Sequence, residues 1–401
     1  EEGNFEIKVV QHPRYVDPEK CIACGLCAEK CPTKVDNEYD AGIGKRKSIH
    51  VKYAQAVPLK YAIDPVHFIF LTKGRCKVCE KLCPAKAINF EDKERELTIQ
   101  AGAIIIAPGC EVFNPEDNNI YGYHQSPNIV TSLEFERMLS ASGPLGGHLI
   151  RPSDKKEPKK IAWIQCVGSR DVHEGAKAYC SAVCCTYAIK EAIVAKEHSK
   201  DSLDTAIFYI DMRTYGKDFE KYYNRAEEEA GVRFIKSRIT NIFPVKETGN
   251  LLIRYTDETG KRVDEEFDMV VLSVGLGVPK EAVELAKRLE IDLDSYQYAS
   301  TSSFEPVQTS RPGIFVCGAF QGPKDIPTSV IESSASAAMA ASVLAEARGA
   351  MTRTKEIPHE TDVRGEFPRT GVFVCHCGTN IAGILNVPSI AGYARTLPGV
   401  V

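Results

Sequence analysis

Hydrophobic and polar positions along this chain change period several times, and each change predicts an element. Phe5-Glu6-Ile7-Lys8-Val9 alternates with the period of two expected of a half-buried strand. From Tyr15 to about Phe90 no period holds, and Cys, Pro and Gly punctuate a loop-rich module that a cofactor would have to hold together. Leu97–Gln100 and Ala103–Ala107 read as strands, the second an unbroken apolar run of the kind buried in a parallel sheet, closed by Pro108-Gly109. Thr131–Ser140 reads as a short helix, with Thr131 as its cap and Glu134 three residues on. The polar run Ser153–Lys160 predicts a domain boundary. Beyond it, strands at Ile161–Gln165, Thr205–Ile210 and Val232–Ile235 alternate with helices at Ser181–His198 and Asp218–Ala230, the order of a parallel sheet with crossover helices. Leu251–Tyr255 and Arg262–Phe267 look antiparallel. Met269–Val274 is a buried strand ending in Gly275, Lys280–Leu289 a helix, and Ile314–Val316 a strand ending in Cys317-Gly318 before a small-residue helix from about Pro327 to Ala347. Residues 350–368 read as a linker, and Val372–Val374 as a new strand.

Length and charge narrow the function classes. With 401 residues the chain should hold two or three domains with real cores. Its 50 Lys and Arg against 54 Asp and Glu, a net charge of -4, give no general pull toward nucleic acid or anionic membrane. The longest apolar stretches, Ala101–Pro108 and Met269–Val278, fall short of the ~20 residues of a spanning helix. The outlier is cysteine, with 15 residues in clusters whose spacings suit metal better than a disulfide framework. Nothing reads as a signal peptide, so a reducing, anoxic cytoplasm is expected. The chain opens without Met directly into a strand and stops about 30 residues after its linker, which is expected of a piece of something longer.

Cys21-Ile-Ala-Cys24-Gly-Leu-Cys27-Ala-Glu-Lys-Cys31-Pro32 is the bacterial ferredoxin run, in which three close thiolates wrap one cubane and the fourth, before Pro, reaches a second cluster. A four-thiolate zinc site is the alternative, but it usually spaces two CxxC pairs more widely. Cys76-Lys-Val-Cys79-Glu-Lys-Leu-Cys83-Pro84 matches the last three cysteines of the same motif, with Lys73 at the first position. Crossed pairing then gives Cys21, Cys24, Cys27 and Cys83 one complete cluster, and leaves Cys76, Cys79 and Cys31 one ligand short. That second site carries either a three-iron cluster or a ligand from elsewhere, for which Cys110 is a candidate if it is not simply a small hydrophobe behind a strand.

Trp163-Ile-Gln-Cys166-Val-Gly-Ser-Arg-Asp171 stands where a nucleotide-binding domain puts its strand, glycine turn and helix. Only Gly168 is present and no GxGxxG occurs in the chain, so a dinucleotide pyrophosphate has no cradle. Instead Cys180, Cys184 and Cys185 follow at the start of a helix, whose dipole lowers thiol pKa. With Cys166 they can hold a four-iron cluster. A vicinal Cys184–Cys185 disulfide and plain core packing are the alternatives.

Cys166-Val-Gly-Ser-Arg-Asp followed by Tyr179-Cys180-Ser-Ala-Val-Cys184-Cys185-Thr-Tyr-Ala-Ile-Lys190 closely resembles the A subunit of heterodisulfide reductase, an iron–sulfur flavoprotein of methanogens and many anaerobic bacteria. Pro13–Asp17, Leu133–Arg137, Gln321–Pro327 and Val374-Cys-His-Cys-Gly-Thr-Asn380 carry the same resemblance, which covers nearly the whole chain. It implies an α/β, thioredoxin-reductase-like two-domain flavoprotein fold with an inserted ferredoxin-like α+β domain. The FAD-binding domain would comprise residues 1–10, 94–150 and 269–349, without its GxGxxG half, which should lie before Glu1. The ferredoxin insert would span 11–93, a degenerate nucleotide-binding domain bearing a cluster 155–268, a linker 350–368, and the start of a further domain 369–401.

The resemblance also implies two to three 4Fe-4S clusters, one of them alternatively 3Fe-4S, and FAD used to split electron pairs between low- and high-potential routes. Carried over by position, Ala107-Pro108-Gly109 is the strand-end turn near FAD. Gly275 and the segment Gly318, Gln321, Gly322, Pro323, Asp325, Ile326, Pro327 and Thr328 complete the flavin contacts, with Ala319 where thioredoxin reductases place a ribityl-binding Asp. Lys190 is placed to stabilise an anionic reduced flavin, with Glu136 as its acidic counterpart. Either is otherwise a solvated helix residue. Implied partners are the other subunits of an oligomeric heterodisulfide-reductase-like complex, and a hydrogenase, formate dehydrogenase or ferredoxin as electron donor or acceptor. The position of the Cys375–Asn380 segment after the flavoprotein part implies two fused copies of such a unit, with Cys375 and Cys377 supplying at most two ligands. Two other classes stay open: an NAD(P)H-dependent reductase of the glutamate-synthase small-subunit kind, against which the missing GxGxxG argues, and a flavin-free electron relay.

Overall fold

The computed structural model describes residues 1–173, 175–376, 381 and 384–401. A five-stranded sheet, parallel at every pairing, runs in the order Arg233–Lys236, Asp204–Tyr209, Lys160–Val167, Met269–Val274, Ile129–Thr131. Its inner strands are mostly apolar and buried along their length because both faces are covered. Helices Ser132–Leu139, Cys184–His198 and Phe219–Glu228 cover one face, where Trp163 meets Phe135 edge-on at 5.5 Å. Ala188, Ala192 and Ala195 let the middle helix lie close to the sheet. The other face packs on an antiparallel sheet of Ile242–Pro244, Leu251–Thr256 and Arg262–Phe267. Thr131 and Glu134 form a reciprocal capping box that starts Ser132–Leu139.

This unit corrects one expectation. Met269–Val274 and Ile129–Leu139, expected in the flavin half, belong to the second domain's sheet and its helical cover. Met269–Val274 is buried at all six positions and needs a strand on each side, which it finds in Lys160–Val167 and Ile129–Thr131. An apolar run does not record its neighbours.

The other unit pairs Ile314–Val316 in parallel with Ile104–Ile106, under the helix Ile326–Val343. Phe5, Ile106, Ala286, Val316 and Phe320 share its core. A ribbon of Phe5–Gln11 and Arg95–Ala101 is antiparallel, with Gln11 opposite Arg95, so residues 12–94 leave and return at one point. That insert holds two small hairpin sheets, Lys34–Asp36 with Lys45–Lys47 and Ile49–His50 with Ala62–Ile63, and short helices at Leu26–Glu29, Ile69–Lys73 and Val78–Leu82. Its core includes Cys21, Cys31 and Cys79 themselves. Val372–Val374, expected as a strand, has no strand pairing. Instead Thr370 bridges Val400, and a helix follows at Val387–Ala394. Cys377 and the rest of the Gly378–Asn380 segment lie outside the described residues. Among the described residues no helix is long and apolar enough to cross a membrane.

Candidate metal and cofactor site

In the insert, Cys21, Cys24, Cys27 and Cys83 line one small apolar cavity closed by Tyr61, Ala87 and Ile88. Ala23 at φ 56° and Gly25 at φ 83° turn the chain between the first three cysteines. The Ala87 N–H donates to the Cys83 sulfur at 3.2 Å. Cys31 is absent from that cavity and lies, with Cys27 and Cys76, near Cys79, its sulfur 3.3 Å from the Ser48 hydroxyl. Burial pushes the free Cys27 thiol up to about 11 and Cys79 up to about 12, an energetic cost that coordination removes because a metal-bound thiol is deprotonated. No group of three or more His, Cys, Asp or Glu among the described residues is tight enough for one metal ion. The cavity-lining thiols surround a space, which fits a cluster of several atoms better than a single ion. Lys73 ends the helix Ile69–Lys73 and is exposed. Cys110 lies outside the insert, beside Glu111 and Tyr298, so the structure does not bring it to Cys31, Cys76 and Cys79.

At the second cluster the central strand slips register between Ile164 and Val167, and the irregularity turns Cys166 out at φ 63°. A loop then carries Cys180 back to the strand end: Arg170 N–H donates to Tyr179 O at 2.9 Å, and Ser169 and Ser181 hydroxyls lie 3.0 Å apart. Ala182 at φ 64° sets up the helix whose first residues are Cys184 and Cys185. Cys166 and Cys180 act electrostatically on both Cys184 and Cys185, and all fourteen described cysteines are free, so the vicinal disulfide is not formed. The helix N-terminus has no side-chain cap, yet burial outweighs its dipole: Cys184 is raised strongly and Cys185 to about 11. Gly275 serves this loop, since a Cβ there would stand 2.7 Å from Ser181 Oγ and 2.9 Å from Ser169 Cβ. A Cβ at Gly168 would meet Phe113 Cγ at 2.0 Å, so a phenyl ring fills the space that a pyrophosphate would need.

In the other unit Val316 pairs with Ile106, which sets Ala107-Pro108-Gly109 beside Cys317-Gly318 at the carboxyl ends of two parallel strands, where open α/β sheets bind ligands. Gly109 and Gly318 take φ 83° and 69°, and no atom lies within 4 Å of a Cβ built on Gly109 or Gly322. This open cradle fits a bulky planar or phosphate-bearing group. Beyond it Asp325 caps the helix by accepting from Thr328 N–H at 2.9 Å, with Ile326 exposed and Pro327 in the first turn. Gly318 N–H donates to Glu332 at 2.9 Å, and Glu332 is paired with a nearly buried Lys324 at 2.5 Å. Lys324 also donates to Gln321, whose amide reaches Thr301 at 3.0 Å. Pro323 and Ala319 are half-buried in the same turn. Lys190 and Glu136 meet each other at 2.6 Å across the seam between their helices. Among the described residues no hydrogen bond or ion pair joins either to 318–328.

The two parts of the site approach at Tyr215, whose phenol feels both Asp325 and Cys180, and a Cβ at Gly216 would lie 3.9 Å from Asp325 Oδ2. Tyr215, and Tyr179, which meets Tyr296 and Tyr298 edge-on and donates its hydroxyl to Leu276 O, were not singled out from sequence. Only the adjacency of Tyr179 to Cys180 hints at them.

A 4Fe-4S binding domain family matches residues 14–35. The chain is 45% identical over 338 residues to the iron-sulfur A subunit of CoB–CoM heterodisulfide reductase from Methanocaldococcus jannaschii, covering 84% of this chain and 50% of that protein. It is 43% identical over 342 residues to the A subunit of H2/formate:CoB-CoM heterodisulfide,ferredoxin reductase from Methanococcus maripaludis, covering 84% and 51%. Thioredoxin reductase structures are more distant: that of Lactococcus lactis matches at 17% identity and a TM-score of 0.40, over 75% of this chain and 86% of its own. The chain spans about half the length of the curated relatives it matches. Over the residues it shares with them, the chain is similar to heterodisulfide reductase iron–sulfur A subunits.

Proposed function

We propose that this chain passes electrons among several iron–sulfur clusters and an FAD, as part of a heterodisulfide-reductase-like complex that carries out flavin-based electron bifurcation. The observation that carries this reading is the fourth thiol brought in from the second run, with Cys83 lining one cavity with Cys21, Cys24 and Cys27 while Cys31 lies outside it, near Cys79. A structural zinc site draws its four ligands to one point, whereas an exchanged fourth ligand is the arrangement of paired clusters. On this reading the four-thiol set holds a 4Fe-4S cluster. The three-thiol set holds a 3Fe-4S cluster or an incompletely ligated 4Fe-4S one, and Cys166, Cys180, Cys184 and Cys185 hold a third.

The two units are read as the flavin and nucleotide halves of a thioredoxin-reductase-like fold. FAD, when bound, supplies the conversion between two-electron and one-electron transfer. The glycine turns at 107–109 and 318–322 leave room for it, and Asp325 fixes the start of the helix beside it. Lys190, neutralised by Glu136 at rest, keeps a cation on the helix that bears Cys184 and Cys185. Donor and acceptor are a hydrogenase, formate dehydrogenase or ferredoxin, in a cytoplasmic oligomeric complex. Phe113 over Gly168 speaks against NAD(P)H as the reductant.

The test is iron, sulfide and FAD content of the anaerobically purified chain and of Cys184→Ser. The reading expects about eleven or twelve irons, falling by about four in the variant. About seven or eight irons unchanged by the substitution would remove the third cluster.

A further inference from the structure

The second cysteine site has more than its four thiols. Asp211, just past the end of strand Asp204–Tyr209, holds two guanidiniums: Arg170 at 2.5 and 3.2 Å, one N–H to each carboxylate oxygen, and Arg213 at 3.2 and 3.5 Å. Both cations also lie within electrostatic reach of the thiols: Arg170 opposes the burial that raises Cys166, and Arg213 is held charged first by Asp211 and after it by Cys180. The Cys185 thiol meets the Arg213 backbone N–H and, at 4.0 Å, the Asp211 carbonyl. Arg170 takes φ 54°, a left-handed value uncommon for a residue with a side chain. Residues are kept in such conformations where their direction matters.

The position of this trio has a structural meaning. In a nucleotide-binding βαβ unit the end of the second strand carries the acidic residue or arginine that reads the ribose. Here Phe113 fills the glycine turn, so Asp211 and Arg213 have no nucleotide to read, and they face the sulfurs of the replacement site instead.

We propose that Arg170 and Arg213, bracketed by Asp211, are positioning residues that set the potential of a cluster held by Cys166, Cys180, Cys184 and Cys185, raising it above that of the same cluster among neutral neighbours. This rests on the cluster reading above. Reduction adds a negative charge to the cluster and its thiolates, and two cations against one carboxylate leave net positive charge facing the sulfurs. Cys184 and Cys185 are buried and Cys166 and Cys180 half-buried, with the Arg170 side chain 21% exposed and that of Arg213 42%, so solvent screens Arg170 less than Arg213. Arg170 grips the Asp211 carboxylate with two N–H groups, a geometry that the single ammonium of lysine does not reproduce.

The test uses the anaerobic, iron-loaded chain, with EPR-monitored redox titration of the signal that Cys184→Ser abolishes. Arg170→Gln and Arg213→Gln are expected to keep their iron and shift that signal to lower potential, leaving the insert clusters unmoved. Arg213→Lys is expected to restore most of the shift. Asp211→Asn, which removes negative charge at constant shape, is expected to shift it upward. A general loosening of the site would not reverse sign between these variants. Unmoved potentials with full iron in both Gln variants would overturn the proposal, as would a downward shift in Asp211→Asn, or loss of iron in the Gln variants that Arg213→Lys does not repair. If Cys184→Ser loses no iron, the cluster reading fails, and this proposal with it.

Discussion

A methyl group at Gly275 would stand 2.7 Å from Ser181 Oγ and 2.9 Å from Ser169 Cβ, in a loop whose hydroxyls already hold each other at 3.0 Å. Gly275→Ala should therefore destabilise the fold by about 1–3 kcal/mol and lower iron at the second cysteine site, read together by denaturation and iron assay. Normal iron at wild-type stability would contradict this. Glu191 is the other residue whose role lies outside the cysteines. It is fully buried, accepts from Trp163 Nε1 at 2.8 Å, and has one oxygen without a partner. Burial holds its carboxyl well above the ordinary range. A raised folded-state pKa means that its contribution is fully present below the ordinary carboxylate range and is lost as pH rises through the raised value. Glu191→Gln should thus fold about as well as the parent near pH 5, within about 1 kcal/mol, and lose less stability toward pH 8. Urea midpoints at both pH values decide it, and equal losses in parent and variant would refute the role given to burial. A glutamate on an otherwise apolar helix face is visible in sequence, but its depth is not.

At the scale of elements, local grammar was readable and pairing was not. Thr131 and Glu134 announced the helix start that the capping box makes, and Thr131→Ala should cost about 1 kcal/mol in denaturant unfolding. The Lys190–Glu136 pair, with side chains 46% and 33% exposed, should contribute under about 1 kcal/mol to stability. Lys190→Ala is then expected to leave the unfolding midpoint almost unmoved, so a change in flavin behaviour would report its charge and not the fold. The same short-range signals said nothing of whether Met269–Val274 would pair with Lys160–Val167 or with the flavin strands, because a strand buried on both faces carries no alternation.

At the scale of the whole molecule, the units differ in what holds them. The insert's core counts Cys21, Cys31 and Cys79 among its buried apolar groups, so removing a cluster removes folding energy there. The sheet unit has its own core around Trp163, Phe135 and Ile189, and Trp163 is the only tryptophan of the chain. Chelation of iron should therefore expose residues 12–94 to protease first, while emission stays that of a buried indole. A red shift concurrent with cleavage of the insert would mean that the two units unfold together.

Sequence alone determined the chemistry. Cysteine spacing announced clusters, the missing glycines withdrew a nucleotide, and the apolar periods gave an α/β chain with a cofactor-held insert, because ligand spacing and side-chain period are local properties. Only the tertiary structure decided which cysteines share a cavity, that Gly275 serves the cysteine loop, that Phe113 fills the empty nucleotide turn, and that Asp211 gathers two arginines beside the second cysteine site. Each of these depends on strand neighbours and loop closures between residues tens of positions apart, which no local period encodes.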